Sequence, residues 1–241
     1  MNLSLQQRIS ENLRFVQERI GHSALQSGRS AGDVKLIAVS KYATIGDGNV
    51  ESLIASGCTE FGEARPQQLL EKMRHYSEQY GAEFPIRWHL IGPLQRNKVR
   101  KVLPAATLIH SLDSLRLAEA INRIAEEEQL PTVKCLLEVA ISQDNTKQGV
   151  APENVLTVLE QLGEYKHISL EGLMGMSGLE SGSLEIRREF ALLRTTAESA
   201  RSRGVPENVS LKELSMGMSG DFDIAIEEGA TLVRIGAILY G

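Results

Sequence analysis

The stretch VSLKELSMGMSGDFDIAIEEGATLVRIGA, residues 209–237, decides the fold. Residues 209–214 and 232–235 are short apolar runs of strand character. Between them the glycine-rich turn SMGMSGD (215–221) opens a helical pattern at 222–228. Strand, glycine turn, helix and strand again is the repeating unit of a parallel α/β architecture. Outward from here the same rhythm recurs along the chain. Apolar runs fall at 34–40, 59–61, 86–91, 107–109, 133–140 and 168–174, ahead of the two already named. Helical patterns fall at 50–56, 66–80, 95–102, 114–129, 152–162 and 183–202, ahead of 222–228. LIAV (36–39) and CLLEV (135–139) are nearly continuous apolar runs, as expected of strands covered on both faces. Eight strands alternating with helices predict an α/β fold, read as a single (β/α)8 TIM barrel of residues 1–241, the alternative being a doubly wound open sheet. Ahead of it, Ile9, Leu13, Val16 and Ile20 share one helical face until Gly28, Ser30 and Gly32 break the pattern. Residues 1–28 are therefore expected to add an N-terminal helix packed on the barrel.

Composition excludes several classes of function. The 241 residues are 42% hydrophobic and 24% charged, ordinary for a globular chain, with a net charge of −5. That balance, without a dense basic stripe, argues against a nucleic-acid partner. Arg96, Lys98, Arg100 and Lys101 form a short basic patch, read as a solvated helix face that could also meet a small anion. Cys58 and Cys135 have no metal-ligand spacing and sit among apolar residues, so buried free thiols are expected, the alternative being a disulfide between them. His22, His75, His89, His110 and His167 show no i, i+4 pairing and no neighbouring cysteine at ligand spacing, so no metal site is expected. Arg8, Glu11, Arg14 and Glu18 interrupt the first apolar stretch, and no run approaches a membrane span. A cytoplasmic protein without a membrane partner is the expectation.

In a barrel of this kind the active face lies at the carboxyl ends of the strands, with an anion site after strands seven and eight. Ser215–Asp221 and Arg234-Ile235-Gly236-Ala237 occupy those two places. Glycine allows close backbone approach, and N–H groups that open a helix point at an anion. Ser219 either caps its helix or offers a hydroxyl to a phosphate, and Gly236 is either a tight turn or part of the same cradle. Asp221 and Asp223 are read as negative charge favouring a helix N-terminus rather than as a metal pair. Lys41 stands at the carboxyl end of the first apolar run, facing the same mouth. A lysine partly desolvated there would have an amine available for a Schiff base; the alternatives are a rim lysine and a point charge for the anion.

Several motifs resemble those of the pyridoxal phosphate homeostasis proteins, whose fold is related to the barrel domain of alanine racemase. They are LIAVSK (36–41), FGEAR (61–65), WHLIGPLQRNK (88–98), IHSLDS (109–114), GLM (172–174), LSMGMSGDFDIAI (214–226) and GATLVRIG (229–236). They follow the family's order over nearly the whole chain from Val34, and WHxIGxLQxNK and LSMGMSxD are specific. The resemblance implies pyridoxal 5′-phosphate (PLP) as cofactor, held as a Schiff base on Lys41. It assigns the phosphate to Ser219 and the backbone of Gly236 and Ala237, the ring nitrogen to Arg234, and pocket-lining positions to His89 and Met174. Two positions depart from the family pattern, which commonly reads FGEN and IGHLQ where this chain has Ala64 and Pro93. The loss of an asparagine near the cofactor would reshape the pocket, whereas Pro93 is expected to alter a loop.

A permanent cation beside the ring nitrogen disfavours its protonation and makes the cofactor a poor electron sink. Tyr42 and Tyr240 read as structural, so no second base stands out. The resemblance implies a non-enzymatic PLP carrier serving homeostasis of vitamin B6 vitamers and of amino and keto acids, the alternative being a weak amino-acid racemase. Its implied partners are PLP and other B6 vitamers, with client PLP enzymes or a regulatory protein beyond them. Nothing in the site requires a dimer, so a monomer is expected.

Overall fold

The computed structural model describes residues 3–81, 86–142 and 148–241. In chain order its elements are α1 (Leu5–Gln26), β1 (Lys35–Val39), α2 (Asn49–Ala55), β2 (Glu60–Glu63), α3 (Pro66–Tyr80), β3 (Arg87–Leu90) and α4 (Val99–Val102). There follow β4 (Leu108–Leu112), α5 (Leu115–Glu127), β5 (Val133–Glu138), α6 (Val155–Leu162), β6 (Ile168–Met174) and α7 (Ser183–Arg203). The last are β7 (Val209–Ser215), α8 (Phe222–Glu227), β8 (Leu232–Ile235) and α9 (Ala237–Tyr240). The eight strands pair in sequence order, all in parallel, and β8 returns to β1 to close the barrel. This is the (β/α)8 TIM barrel that the sequence predicts.

Local chemistry sets most boundaries. Ser4 and Gln7 form a reciprocal capping box at the start of α1, and Pro66 opens α3 where a missing N–H costs nothing. Ser114 caps α5 by accepting the Leu117 N–H at 3.4 Å. The predicted helix at 95–102 divides into a 3-10 turn at Arg96–Lys98 and the single α-turn α4. β4 runs to Leu112, beyond its expected end at 109, because His110 and Ser111 hide an otherwise apolar strand.

Alternate residues of each strand face opposite ways. One set, including Ala38, Phe61, Trp88, Leu90, Ile109, Leu137, Leu173, Val233 and Ile235, joins the main core between strands and helices. The other set points inside the barrel, where Ile37, Leu108, Leu136, Met174 and Leu232 form a separate apolar cluster. The rest of the interior is polar, and it matters below.

Helix α1 packs on α2, α8 and α9, so it spans the seam where the first and last strands meet. Ile9, Leu13, Val16 and Ile20 are buried there, each contributing about 2 kcal/mol of transfer free energy before ordering entropy. The Asn12 side-chain amide donates to the carbonyls of Leu239 and Gly241 at 3.3 and 3.2 Å, tying α1 to the last residues.

The β6–β7 pairing is irregular: Leu170 faces Val209, yet Gly172 faces Glu213, so β7 carries extra residues there. Leu211 in this bulge has φ of 50°, and a Cβ on Gly172 would stand 1.8 Å from the Glu213 carbonyl oxygen. Glycine is required at 172 because a neighbouring backbone occupies the space.

Candidate functional site

A cavity of about 520 Å³ opens at the carboxyl ends of the strands. Lys41, Ser219, Arg234, Gly236 and Ala237, five of the seven residues expected at the site, all line it. Val39, Tyr42, Ala64, Gly92, Pro93, Glu138 and Met218 contribute further wall.

Lys41 follows β1 directly, and the residue before it is held on every side. The Ser40 N–H donates to the Gly62 carbonyl at 2.9 Å and its hydroxyl to Glu63 Oε1 at 2.7 Å. Lys72 from α3 donates its ammonium to the Ser40 carbonyl at 2.6 Å and to Glu63, forming a buried ion pair behind the strand end. The Lys41 side chain leaves this rigid support exposed, with Nζ 4.9 Å from the centre of the Tyr42 ring. The expected partial desolvation is not seen, because β1 ends at Val39 and Lys41 emerges on the rim. Tyr42, read from sequence as structural, is a wall of the cavity.

Opposite chemistry lies after β7 and β8. The Gly236 N–H donates to Ser219 Oγ at 3.4 Å, which brings the two turns together. Among the described residues the N–H groups of Ser219, Gly220 and Ala237 have no hydrogen-bond acceptor. Asp221 fixes this turn: its carboxylate accepts the Met218 N–H at 2.6 Å and the Ser177 hydroxyl. Gly217, at φ of 92°, turns the chain where a Cβ would come within 2.6 Å of Ala225. Asp223 instead reaches α1 and pairs with Arg19. Free N–H donors beside a hydroxyl suit a phosphate, an amine at the rim suits an aldehyde, and a buried guanidinium suits a ring nitrogen. The residues present therefore fit PLP.

Arg234 is 4% exposed. Burial lowers its pKa to about 10, against the attraction of Asp221 and Glu138, so it remains a cation at neutral pH. Its Nη1 donates to Ser215 Oγ at 2.6 Å and its Nη2 to the Gly175 carbonyl at 3.2 Å.

His89 and Met174 do not line the cavity, contrary to expectation. Met174 belongs to the apolar cluster inside the barrel. His89 lies deeper, its ring nitrogens 2.8 Å from Glu60 Oε2 and 2.9 Å from the His110 ring. Burial would raise the Glu60 carboxyl, but hydrogen bonds from His89 and Arg87, with Lys35 nearby, hold it down at about 2.

Sequence reasoning missed Glu138. It ends β5, two residues after the interior Leu136, and is 5% exposed on the cavity wall. Burial, then repulsion from Asp113, pushes its carboxyl up to about 7 against the pull of Arg234. The signal was a single carboxylate closing the apolar run CLLEV.

Elsewhere Cys58 and Cys135 are free and buried, and burial raises both thiols to about 12. Arg96, Lys98, Arg100 and Lys101 are exposed, with Arg100 paired to Glu127 and Glu128. No cluster of metal-ligating side chains is present, and no helix is long and apolar enough to cross a membrane, among the described residues.

A lysine just after β1, free N–H donors in the turns after β7 and β8, and a buried arginine on the same cavity define a (β/α)8 barrel with a lysine and an array of donors at its mouth. Residues 6–241 match the family described as alanine racemase, N-terminal domain. The pyridoxal phosphate homeostasis protein of Aquifex aeolicus is 36% identical over 231 residues, 96% of this chain and 96% of that protein. The structure of PipY from Synechococcus elongatus with PLP bound is 33% identical, with a TM-score of 0.81 over 97% of this chain and 100% of that one. Alanine racemase of Clostridium difficile, 19% identical with a TM-score of 0.71, shares the fold over 96% of this chain and 56% of its own. The chain belongs to the pyridoxal phosphate homeostasis proteins, within the family of the alanine racemase N-terminal domain.

Proposed function

We propose that the protein binds PLP in this cavity, covalently as a Schiff base on Lys41, and serves intracellular homeostasis of vitamin B6 vitamers and of amino and keto acids without robust turnover. The observation that carries this reading is the convergence of Lys41, Ser219, Arg234, Gly236 and Ala237 on one cavity. When bound, the cofactor supplies an aldehyde for amines and a ring able to take up electron density. The chain's residues do the rest. Ser40, Glu63 and Lys72 aim the backbone that presents Lys41. The N–H groups of Ser219, Gly220 and Ala237 and the Ser219 hydroxyl take the phosphate. Arg234 keeps a fixed positive charge deep in the site, which opposes protonation of a ring nitrogen placed against it. Ala64 and Pro93 are both cavity walls, so the two departures from the family pattern act directly on pocket shape. The exposure of the Lys41 amine suits reversible loading and delivery to client PLP enzymes.

The test is the visible absorption spectrum before and after borohydride, with peptide mapping. A yellow protein in which reduction fixes the cofactor on Lys41, and a colourless Lys41→Ala variant, are expected. A protein that stays colourless in excess PLP would overturn the reading.

Glu138 favours a second reading, a weak amino-acid racemase, because a carboxyl near neutrality in the cavity can accept and return a proton. Incubating PLP-loaded protein with amino acids in heavy water separates the two. Rapid appearance of deuterium at the α-carbon, lost in Glu138→Gln, would favour the enzyme.

A further inference from the structure

Part of the barrel interior is filled by Ile37, Leu108, Leu136, Met174 and Leu232, as such interiors usually are. Beside it lie a carboxylate, two histidines, a serine and an arginine, all buried, where apolar side chains would avoid the desolvation penalty. These groups are not scattered. Arg234 Nη1 lies 2.6 Å from Ser215 Oγ, which lies 2.8 Å from His110 Nδ1. His110 Nε2 lies 2.9 Å from His89 Nδ1, and His89 Nε2 lies 2.8 Å from Glu60 Oε2. Glu60 meets Arg87 and, at 3.7 Å, Lys35, whose side chains are 49% and 50% exposed at the amino end of the barrel. An unbroken line of hydrogen bonds thus runs from the cavity to the opposite mouth.

We infer that Ser215, His110, His89 and Glu60 are positioning residues, a one-way hydrogen-bond chain that holds the Arg234 guanidinium in place. The direction follows from what each group can donate. Arginine has donors only, so Ser215 Oγ accepts from Arg234 and spends its one proton on His110 Nδ1. His110 then carries its proton on Nε2 and gives it to His89 Nδ1. His89 carries its proton on Nε2 and gives it to Glu60, whose carboxylate only accepts. Every member is satisfied, and the chain begins on a cation and ends on an anion. Burial, with His89 and Arg234 beside it, holds the His110 pKa well below its usual value, which agrees with a neutral ring. The reverse direction needs an imidazolium at His89, and Ser215 would then face two donors with no acceptor for its own hydroxyl among the described residues.

For the cavity this means that Arg234 is not free to swing or to pass its proton on. Ser215 and the Gly175 carbonyl pin two nitrogens of the guanidinium, and with its pKa at about 10 the charge it shows to a ligand is constant across the neutral range. The chain stands independently of the cofactor, whereas its effect on a bound ring rests on the reading proposed above.

Two measurements test it on the full chain. In ¹⁵N-histidine-labelled protein, two-dimensional NMR reads the tautomers directly, the signals being assigned by their loss in His89→Gln and His110→Asn. His110 and His89 are both expected as neutral rings protonated on Nε2 near pH 7. A proton on Nδ1 of either ring, or an imidazolium at either, would overturn the chain. In PLP-loaded protein, Ser215→Ala removes the acceptor of Arg234 and is expected to shift the visible band. It should also weaken PLP binding about tenfold, while borohydride still labels Lys41. A folded Ser215→Ala protein with unchanged band and affinity would show that the chain only fills space. Failure of the proposed function reads differently: the unmutated protein would show no lysine-bound band at all, while the NMR result would stand.

Discussion

Replacing Glu138 by glutamine should stabilise the protein, and increasingly so as pH rises. The folded state raises this carboxyl from 4.5 to about 7, chiefly by burial. Between those values the folded chain holds a proton that the unfolded chain has released, so raising pH favours unfolding. Each pH unit across that window costs the native state about 1.4 kcal/mol, and the whole shift comes to about 3 kcal/mol. The cost is absent below pH 4.5 and complete above pH 7. Glutamine keeps the shape of the side chain and carries no charge, so the variant escapes it. Other titrating groups, including Glu60 with its lowered pKa, are common to both proteins and cancel in the difference. Urea unfolding of cofactor-free wild-type and Glu138→Gln protein from pH 4.5 to 8 measures this, free of stabilisation by bound ligand. The gap between the two should widen by about 3 kcal/mol in favour of the variant. A gap that stays flat, or that narrows with pH, would refute the account of Glu138 as a carboxylate forced to ionise in a poorly solvated wall.

Other consequences are as concrete. Lys72→Met strands the Glu63 carboxylate in the core beside Ser40, and urea unfolding should register a loss of about 3 kcal/mol or more; a loss under about 1 kcal/mol would mean that the pair is solvated. Gly92→Ala brings a Cβ to 2.2 Å from the Ala64 carbonyl oxygen, so about 2 kcal/mol of stability and part of the PLP affinity should go together, read by unfolding and by spectral titration. Asn12→Ala removes both hydrogen bonds from α1 to the chain end, and a drop of about 1 kcal/mol with faster amide exchange over α9 is expected.

Much of the architecture was legible in the sequence because parallel strands covered on both faces read as apolar runs, and each of the eight predicted strands overlaps an observed one. The N-terminal helix was legible from Ile9, Leu13, Val16 and Ile20, whose spacing survives as its buried face. So were the turns at 215–221 and 236–237, since glycine and serine at the end of a strand carry their meaning locally.

What the sequence could not decide was which residues from different strands meet inside the barrel. Glu60, His89, His110, Ser215 and Arg234 sit on five strands, and His110 and Ser215 are 105 residues apart. Each looks unremarkable in its own strand, and His89, which the family resemblance set at the pocket wall, is a link between His110 and Glu60. Lys41 was expected to be partly buried because it follows an apolar strand, yet its exposure depends on where β1 stops and on how Glu63 and Lys72 hold Ser40. Glu138 gains its raised pKa only from the wall that closure builds around it. Local residue pattern determined the elements and their order. Closure of the sheet on itself decided which side chains share the interior, because contacts between strands far apart in the chain exist only once β8 has met β1.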